Sequence, residues 1–306
     1  MSFDFLDEIV VSQDIKRRDL LEKDIILHSL LHGLMAEPWF REGYLFKGGT
    51  CLIKCFLGYY RFSEDLDFTY SDQAEFNGLS VKEIRRKLSK VIDKLGGLLE
   101  AVAGDVGLEF KCKKSDIRFV ELGGSNRFCT FKLWYRSVDG LDSFVKVQFN
   151  FVELLYFPHR QVVAGNVMGD SGREIVALYP EASSYFEDLS LRSYDPKEIL
   201  CEKVRALLTR RGVKARDYVD LFMLSEKLSL NVDEYIDCIT QKTRHMLSLY
   251  RKYRVNLVAK RKLLMNGGLF EWGSEEALML VPLDSVKFYR FVDELEEVLV
   301  LVLNRL

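Results

Sequence analysis

Residues 46–70 read FKGGTCLIKCFLGYYRFSEDLDFTY, and two features of this stretch decide what the chain can be. Tyr44-Leu45-Phe46 is a short strand, Lys47-Gly48-Gly49-Thr50 breaks it, and Thr50 to about Leu57 reads as a short helix. Glycines between a strand and a helix let backbone N–H groups approach a phosphate closely, and the helix N-terminus adds a favourable dipole. Further on, Leu66 and Phe68 alternate with Asp65 and Asp67, so both carboxylates of one strand point to the same side. Two close carboxylates repel unless a cation lies between them. Oxygen ligands suit Mg²⁺, which also bridges triphosphate oxygens. The flanking Leu66, Phe68 and Tyr70 make this strand interior to a sheet, where charges need a purpose. Each feature alone has a plainer reading, a Gly-Gly-Thr turn and a solvated strand edge. The GxxxxGK[ST] pattern is absent, so the glycines are not a P-loop.

Working outward, residues 3–36 read as helical. Ser80-Val81-Lys82-Glu83 is a capping box, Ile84, Leu88, Val91, Ile92 and Leu95 form one apolar stripe, and Gly96-Gly97 is expected to end that helix. Strands are expected at Leu108–Lys113, Ile117–Leu122, Phe128–Arg136 and Phe144–Phe151. In the last of these Val145, Val147, Phe149 and Phe151 share one face, and Lys146, Gln148 and Asn150 the other. Residues 152–190 give no clear period. From Asp195-Pro196-Lys197-Glu198, a cap with proline at the first helical position, the pattern is helical to the end, with Gly212 a plausible stop for the first helix. The expected class is α+β: a mixed sheet flanked by helices over 1–190, then a helical bundle over 191–306.

At 306 residues, 48% hydrophobic and 29% charged, the chain has an ordinary globular composition with room for two domains. No run approaches the ~18–20 apolar residues of a membrane span, and the charged start is unlike a signal peptide. A cytoplasmic chain with no membrane partner is expected. The six cysteines form no CxxC pair, which argues against zinc and against a disulfide framework. Cys51 and Cys55 are expected to be buried apolar fillers. The net charge of −2 taken whole argues against nucleic acid. By segment it does not: residues 1–194 carry 25 basic and 29 acidic residues, 195–262 carry 16 and 9, and 263–306 carry 3 and 8, giving −4, +7 and −5.

The string GGT-x-L-x-K from Gly48, followed by RFSEDLDF from Arg61, resembles the AbiEii/AbiGii-type nucleotidyltransferase toxins, a family with the polymerase-β-like nucleotidyltransferase fold. A second, independent match follows in the right order: Glu198-x3-Glu202-Lys203-x2-Ala206-Leu207-x2-Arg210, then Arg216-Asp217-x2-Asp220-Leu221. Together the two signatures span about residues 40–225. The resemblance implies transfer of a nucleoside monophosphate from an NTP to RNA, at the 3′ end of tRNA, by the toxin of a toxin–antitoxin or abortive-infection pair with a cognate antitoxin. It implies that Asp65 and Asp67 hold Mg²⁺ and the triphosphate, and that Gly48, Gly49 and Thr50 cradle phosphates. Arg61 is then a candidate to reach the triphosphate. Ser63 is a candidate to touch the nucleotide or receive a phosphate, beside its plainer reading as a turn hydroxyl. Lys203 would neutralise phosphate charge. Asp217 would orient Lys203 or assist the incoming hydroxyl, with Asp220 one turn away on the same face. A surface ion pair is the plainer reading of Lys203 and Asp217. Lys54 is expected to face solvent.

One departure stands out. Many nucleotidyltransferases carry a third carboxylate on the neighbouring strand, for a second metal and general base. Here that strand offers Lys146, Gln148 and Asn150. Gln148 in that slot puts two-metal chemistry in doubt. Lys146 then supplies positive charge there, and either Asp217 serves as base or the mechanism relies on one metal plus positioning. The basic block, with Arg205, Arg210, Arg211, Lys214, Arg244, Arg251, Lys252, Arg254, Lys260, Arg261 and Lys262 and tyrosines 218, 250 and 253, fits RNA phosphates and bases. Modification of a protein such as the antitoxin, or nucleotide and RNA binding without catalysis, are the competing readings.

Overall fold

The alternation along residues 44–70 is realised at the centre of a seven-stranded mixed sheet. The computed structural model describes residues 5–306, the side chains of Asp170, Ser171, Arg173 and Glu181 excepted. The strands are β1 (Tyr44–Lys47), β2 (Asp65–Tyr70), β3 (Val120–Gly123), β4 (Phe128–Arg136), β5 (Asp142–Asn150), β6 (Arg160–Ala164) and β7 (Leu189–Ser193). Their order is β3-β4-β5-β2-β1-β7-β6, with β2 in the middle. β2 runs antiparallel to β1 and parallel to β5. On one face Leu66, Phe68, Val147, Phe149, Phe131 and Leu133 are fully buried. Phe68 stacks on Phe149 at 5.5 Å, and Phe40 meets both rings edge-on at 5.1 and 6.0 Å. Such aromatic pairs add about 0.5–1.5 kcal/mol each beyond their buried area.

The first unit's helices are α1 (Leu6–Ser12), α2 (Arg18–Ala36), α3 (Pro38–Gly43), α4 (Gly48–Leu52), α5 (Val81–Val106), α6 (Arg173–Leu178) and α7 (Ser183–Phe186). α2 and α5 pack on each other and on the sheet strands. The capping box at Ser80 is formed, with Glu83 accepting from the Ser80 N–H at 2.9 Å. The helix does not stop at Gly96-Gly97. It continues to Val106 and ends at Gly107, whose φ is +75°. Gly96 is instead a packing residue, because a Cβ there would lie 1.9 Å from Cys112 Sγ. The expected strand at Leu108–Lys113 is also corrected. Only Glu109 pairs, with Trp134, while Leu108 and Phe110 are buried as core residues without ladder partners. The next strand begins at Val120 rather than Ile117.

Contacts divide the chain after Ser193, and the short stretch Leu154–Pro158 belongs with the second unit. That unit holds α8 (Pro196–Thr209), α9 (Ala215–Leu228), α10 (Ile236–Leu249), α11 (Arg251–Met265) and α12 (Ser285–Arg305). Asp195 caps α8 by accepting from the Lys197 N–H at 2.9 Å, and Pro196 takes the first helical position. α8 ends at Thr209, ahead of Gly212. A buried ion pair explains why Leu154–Pro158 joins these helices. Glu198 Oε1 lies 2.5 Å from Lys242 Nζ, its Oε2 accepts from the Tyr156 and Phe157 N–H groups at 2.9 Å, and Lys242 donates to the Leu154 carbonyl. The backbone satisfies the remaining valences of a charge pair that would otherwise be costly to bury. Among the described residues no helix is long and apolar enough to cross a membrane.

Candidate active site

The sheet's second face carries the polar residues of the motif in two rows. Lys47 of β1 stands opposite Asp67, Asp67 beside Gln148 of β5, and Gln148 opposite Thr130 of β4. One step along, Asp65 lies beside Lys146, which lies opposite Lys132. Lys146 Nζ is 4.0 Å from Asp65 Oδ1, and Lys132 is drawn away by an ion pair with Glu121. Gln148 therefore does occupy the position beside Asp67. Among the described residues no three His, Cys, Asp or Glu side chains gather in a metal-binding group. Sequence reading missed Lys47. Its signal was the β1 alternation, which puts it on the carboxylate side of the sheet while Phe46 packs on Phe68 at 5.4 Å.

The glycine turn is built against these carboxylates. Gly48 has φ +79°, and a Cβ there would lie 2.4 Å from Asp67 Oδ2. A Cβ on Gly49 would lie 2.4 Å from Arg61 Nη2 and 3.4 Å from Ser63 Oγ. Only glycine meets both demands, the left-handed backbone at 48 and the close approach at 48 and 49. Thr50, 1% exposed, donates its hydroxyl to the Asp65 carbonyl oxygen and accepts from Ser63 Oγ at 2.8 Å. Thr50 and Ser63 thus lock the turn to the start of β2. Arg61 is 1% exposed and donates to the Phe62 carbonyl at 2.7 Å. Its guanidinium lies against the Gly49 turn from within the protein.

Lys54 is corrected outright: it does not face solvent. α4 continues into a π-helical turn, Ile53–Leu57, closed by Gly58 at φ +73°. Lys54 lies one turn after the buried Thr50, on the inner side of this helix, with its side chain 0% exposed. Its Nζ lies 2.9 Å from Asp24 Oδ1 and donates to Tyr59 OH at 2.6 Å. Tyr59 and Tyr185 both donate to Asp24 Oδ2 at 2.8 Å. Burial and the Asp24 charge push both phenols well above their ordinary range. This network ties α2, the glycine turn's helix and α7 together. His28 sits edge-on to Tyr185 at 5.3 Å. Burial, then the Lys54 charge, hold its imidazole neutral by lowering its pKa well below the usual value. Cys51 is fully buried and Cys55 half-buried, and all six thiols are free.

The second signature forms its own cluster in the second unit. Lys203 Nζ lies 2.8 Å from Asp217 Oδ1 and 2.5 Å from Asp220 Oδ2, and Arg210 Nη1 is 3.0 Å from Asp217 Oδ2. Lys203, Asp217 and Asp220 are 8%, 4% and 0% exposed, so this is no surface pair. Burial raises the Asp217 pKa, but Lys203 and Arg210 outweigh it and hold the carboxylate ionised below its ordinary range. Such a group orients Lys203 well and accepts a proton poorly.

The basic block is only partly a surface. Arg205 pairs with Glu202 and is buried, as are Lys260, Tyr218 and Tyr250, so these four do not present to RNA. Arg211, Arg251, Lys252, Arg254, Arg261 and Lys262 are exposed.

Comparison with curated proteins finds no match. Among solved structures, MenT4, a nucleotidyltransferase toxin from Mycobacterium tuberculosis, is similar in fold with a TM-score of 0.56 at 19% identity, over 98% of this chain and 90% of that one. The model of the family described as "Nucleotidyl transferase AbiEii toxin, Type IV TA system" matches residues 29–266, which include the glycine turn, Asp65 and Asp67, and the Lys203 cluster. The chain belongs to this family and is a nucleotidyltransferase toxin of a type IV toxin–antitoxin system.

Proposed function

We propose that the enzyme transfers a nucleoside monophosphate from an NTP to the 3′ end of a tRNA, in the cytoplasm, with Mg²⁺ held by Asp65 and Asp67. The observation that carries this reading is the contact of Gly48 with Asp67, which makes the phosphate turn and the carboxylate one structure. The donor set suits Mg²⁺, a hard cation that the carboxylates of Asp65 and Asp67 would hold. When bound, the ion supplies counter-charge to the triphosphate. The chain's own residues do the rest. Backbone N–H groups of Gly48, Gly49 and Thr50 orient the phosphates, with Arg61 holding the turn's shape and Ser63 fixing Thr50. Lys146 adds positive charge beside Asp65. The RNA hydroxyl attacks the α-phosphorus in line and gives up its proton to water, the bond from the α-phosphorus to the bridging β-phosphate oxygen breaks, and pyrophosphate leaves. Positioning and charge neutralisation dominate such a reaction. In the second unit Lys203, steadied by Asp217 and Asp220, serves phosphate charge, and the exposed basic residues of α11 serve the RNA backbone.

The test offers each of the four NTPs, labelled at the α-phosphate, with total tRNA, with total cellular RNA and, separately, with the cognate antitoxin. Label on tRNA that disappears in Asp65→Ala is the expected result. No transfer to any RNA overturns the reading, and label on the antitoxin identifies a protein acceptor instead.

A further inference from the structure

Lys47 lies directly across β1 and β2 from Asp67, on the face that carries both carboxylates. It is 7% exposed, and β1 is paired on both sides, with β2 and β7, so its backbone is fixed. On the other side of Asp67 the neutral Gln148 stands where a third carboxylate would complete a two-metal site. Lys146, one register step away, brings its ammonium to 4.0 Å from Asp65. Two carboxylates are thus flanked by two lysines on the adjoining strands, and the local charge sums to about zero. A three-carboxylate site would stand near −3 and attract two divalent ions. This one has no negative charge left for a second, and its ammonium groups repel one.

We infer that the site works with a single divalent cation, and that Lys47, with Lys146, carries the charge a second cation would supply, against the triphosphate. The inference rests on the proposed role of Asp65 and Asp67 and adds Lys47 to the residues that meet the nucleotide. Lysine provides a point charge of the right sign without needing a third carboxylate to hold it. Its rigid strand position serves the same orienting purpose as a metal template.

The experiment titrates Mn²⁺ into the intact protein, alone and with each α,β-methylene NTP in turn, counting bound ion by electron paramagnetic resonance. Wild type should bind one ion per chain in both conditions. Removing the charge in Lys47→Gln should act in opposite directions, binding Mn²⁺ roughly fivefold more tightly and the nucleotide roughly tenfold more weakly, by simple Coulomb logic. A strand damaged by the substitution would lose affinity for both. Lys47→Arg, which keeps the charge, should retain wild-type ion affinity. Gln148→Asp should admit a second ion. Two ions on wild type, or Lys47→Gln that keeps the wild-type melting temperature and binds both Mn²⁺ and nucleotide as wild type does, overturns the inference while leaving the proposed function intact. Wild type that binds neither Mn²⁺ nor any nucleotide overturns the proposed function and this inference together.

Discussion

At Gly48 a backbone demand and a chemical demand fall on one atom: φ is +79°, and a Cβ would sit 2.4 Å from Asp67 Oδ2. Gly48→Ala should cost about 1–2 kcal/mol for the left-handed backbone alone. It should also lower nucleotidyl transfer by about a hundredfold, since a shift near 1 Å in a reacting group costs that much. A thermal melt and a transfer assay on the same sample check both, and full activity in a protein of lowered stability would separate the turn from the chemistry. Asp217 shows how a buried charge responds to pH. Lys203 and Arg210 hold it ionised in the folded chain, overriding burial, whereas in the unfolded chain an aspartate titrates near about 3.9. As pH falls, the unfolded state takes up the proton first. The stability this pair contributes at neutral pH is therefore lost as pH drops below about 4 toward the lower folded value. Asp217→Asn should lose about 3–5 kcal/mol at pH 7, leaving Lys203 partly uncompensated, and its deficit against wild type should shrink at pH 3.5. Urea unfolding at the two pH values measures the difference, and a deficit that does not narrow would deny the pair its depressed titration.

Two adjacent glycines on α5 separate what a sequence tells about elements from what it hides. A Gly-Gly pair after an apolar stripe signals a helix end, yet α5 runs on to Gly107. Gly96 is there because Cys112 presses on it, and nothing lies within 4 Å of where a Cβ on Gly97 would stand. Gly97→Ala should therefore stabilise the protein by about 0.5–1 kcal/mol through helix propensity. Gly96→Ala should destabilise it by about 1–3 kcal/mol through overpacking. Opposite signs in denaturant midpoints are the expected outcome, and a stabilising Gly96→Ala would remove the packing explanation. The same limit explains Lys54. Helical spacing puts Lys54 one turn after the buried Thr50, on the inner side, but its partner Asp24 lies 30 residues earlier on another helix, and no local pattern announces that pairing. The interior placement of β2 and the common side of Asp65 and Asp67 were legible, because period-2 alternation is local. The pairing of Glu198 with Lys242, 44 residues apart, was not. It depends on how separate helices meet, and it decides which unit claims Leu154–Pro158.

Charge at the scale of the whole chain is organised by segment, and the fold sorts it further. The net −2 of the sequence conceals a +7 block over 195–262, but the block is not uniformly a surface. Lys242 and Arg205 are consumed in buried pairs with Glu198 and Glu202, and Lys260 is 2% exposed. The acidic tail is divided too. Glu296 of α12 accepts from the Leu269 and Phe270 N–H groups at 2.6 and 3.0 Å and from Tyr218 at 3.3 Å, so part of the −5 is structural. What remains outside is concentrated on α11, where Arg251, Lys252, Arg254, Arg261 and Lys262 are exposed. If these residues meet RNA phosphates, each contact releases counterions and steepens the salt dependence of binding by about 0.7–0.9 in the log–log slope. Lys252→Gln with Lys262→Gln should then flatten the slope by about 1.5 and weaken binding at low salt, with little change in stability. Lys260→Gln should do the reverse, leaving the slope alone while altering stability, because its side chain is held inside the second unit. Filter binding of tRNA across a salt series, beside a melt of each variant, separates the two classes. A slope unchanged by the paired α11 substitutions would remove that helix from the RNA path and return its charge to the role of a solvated face.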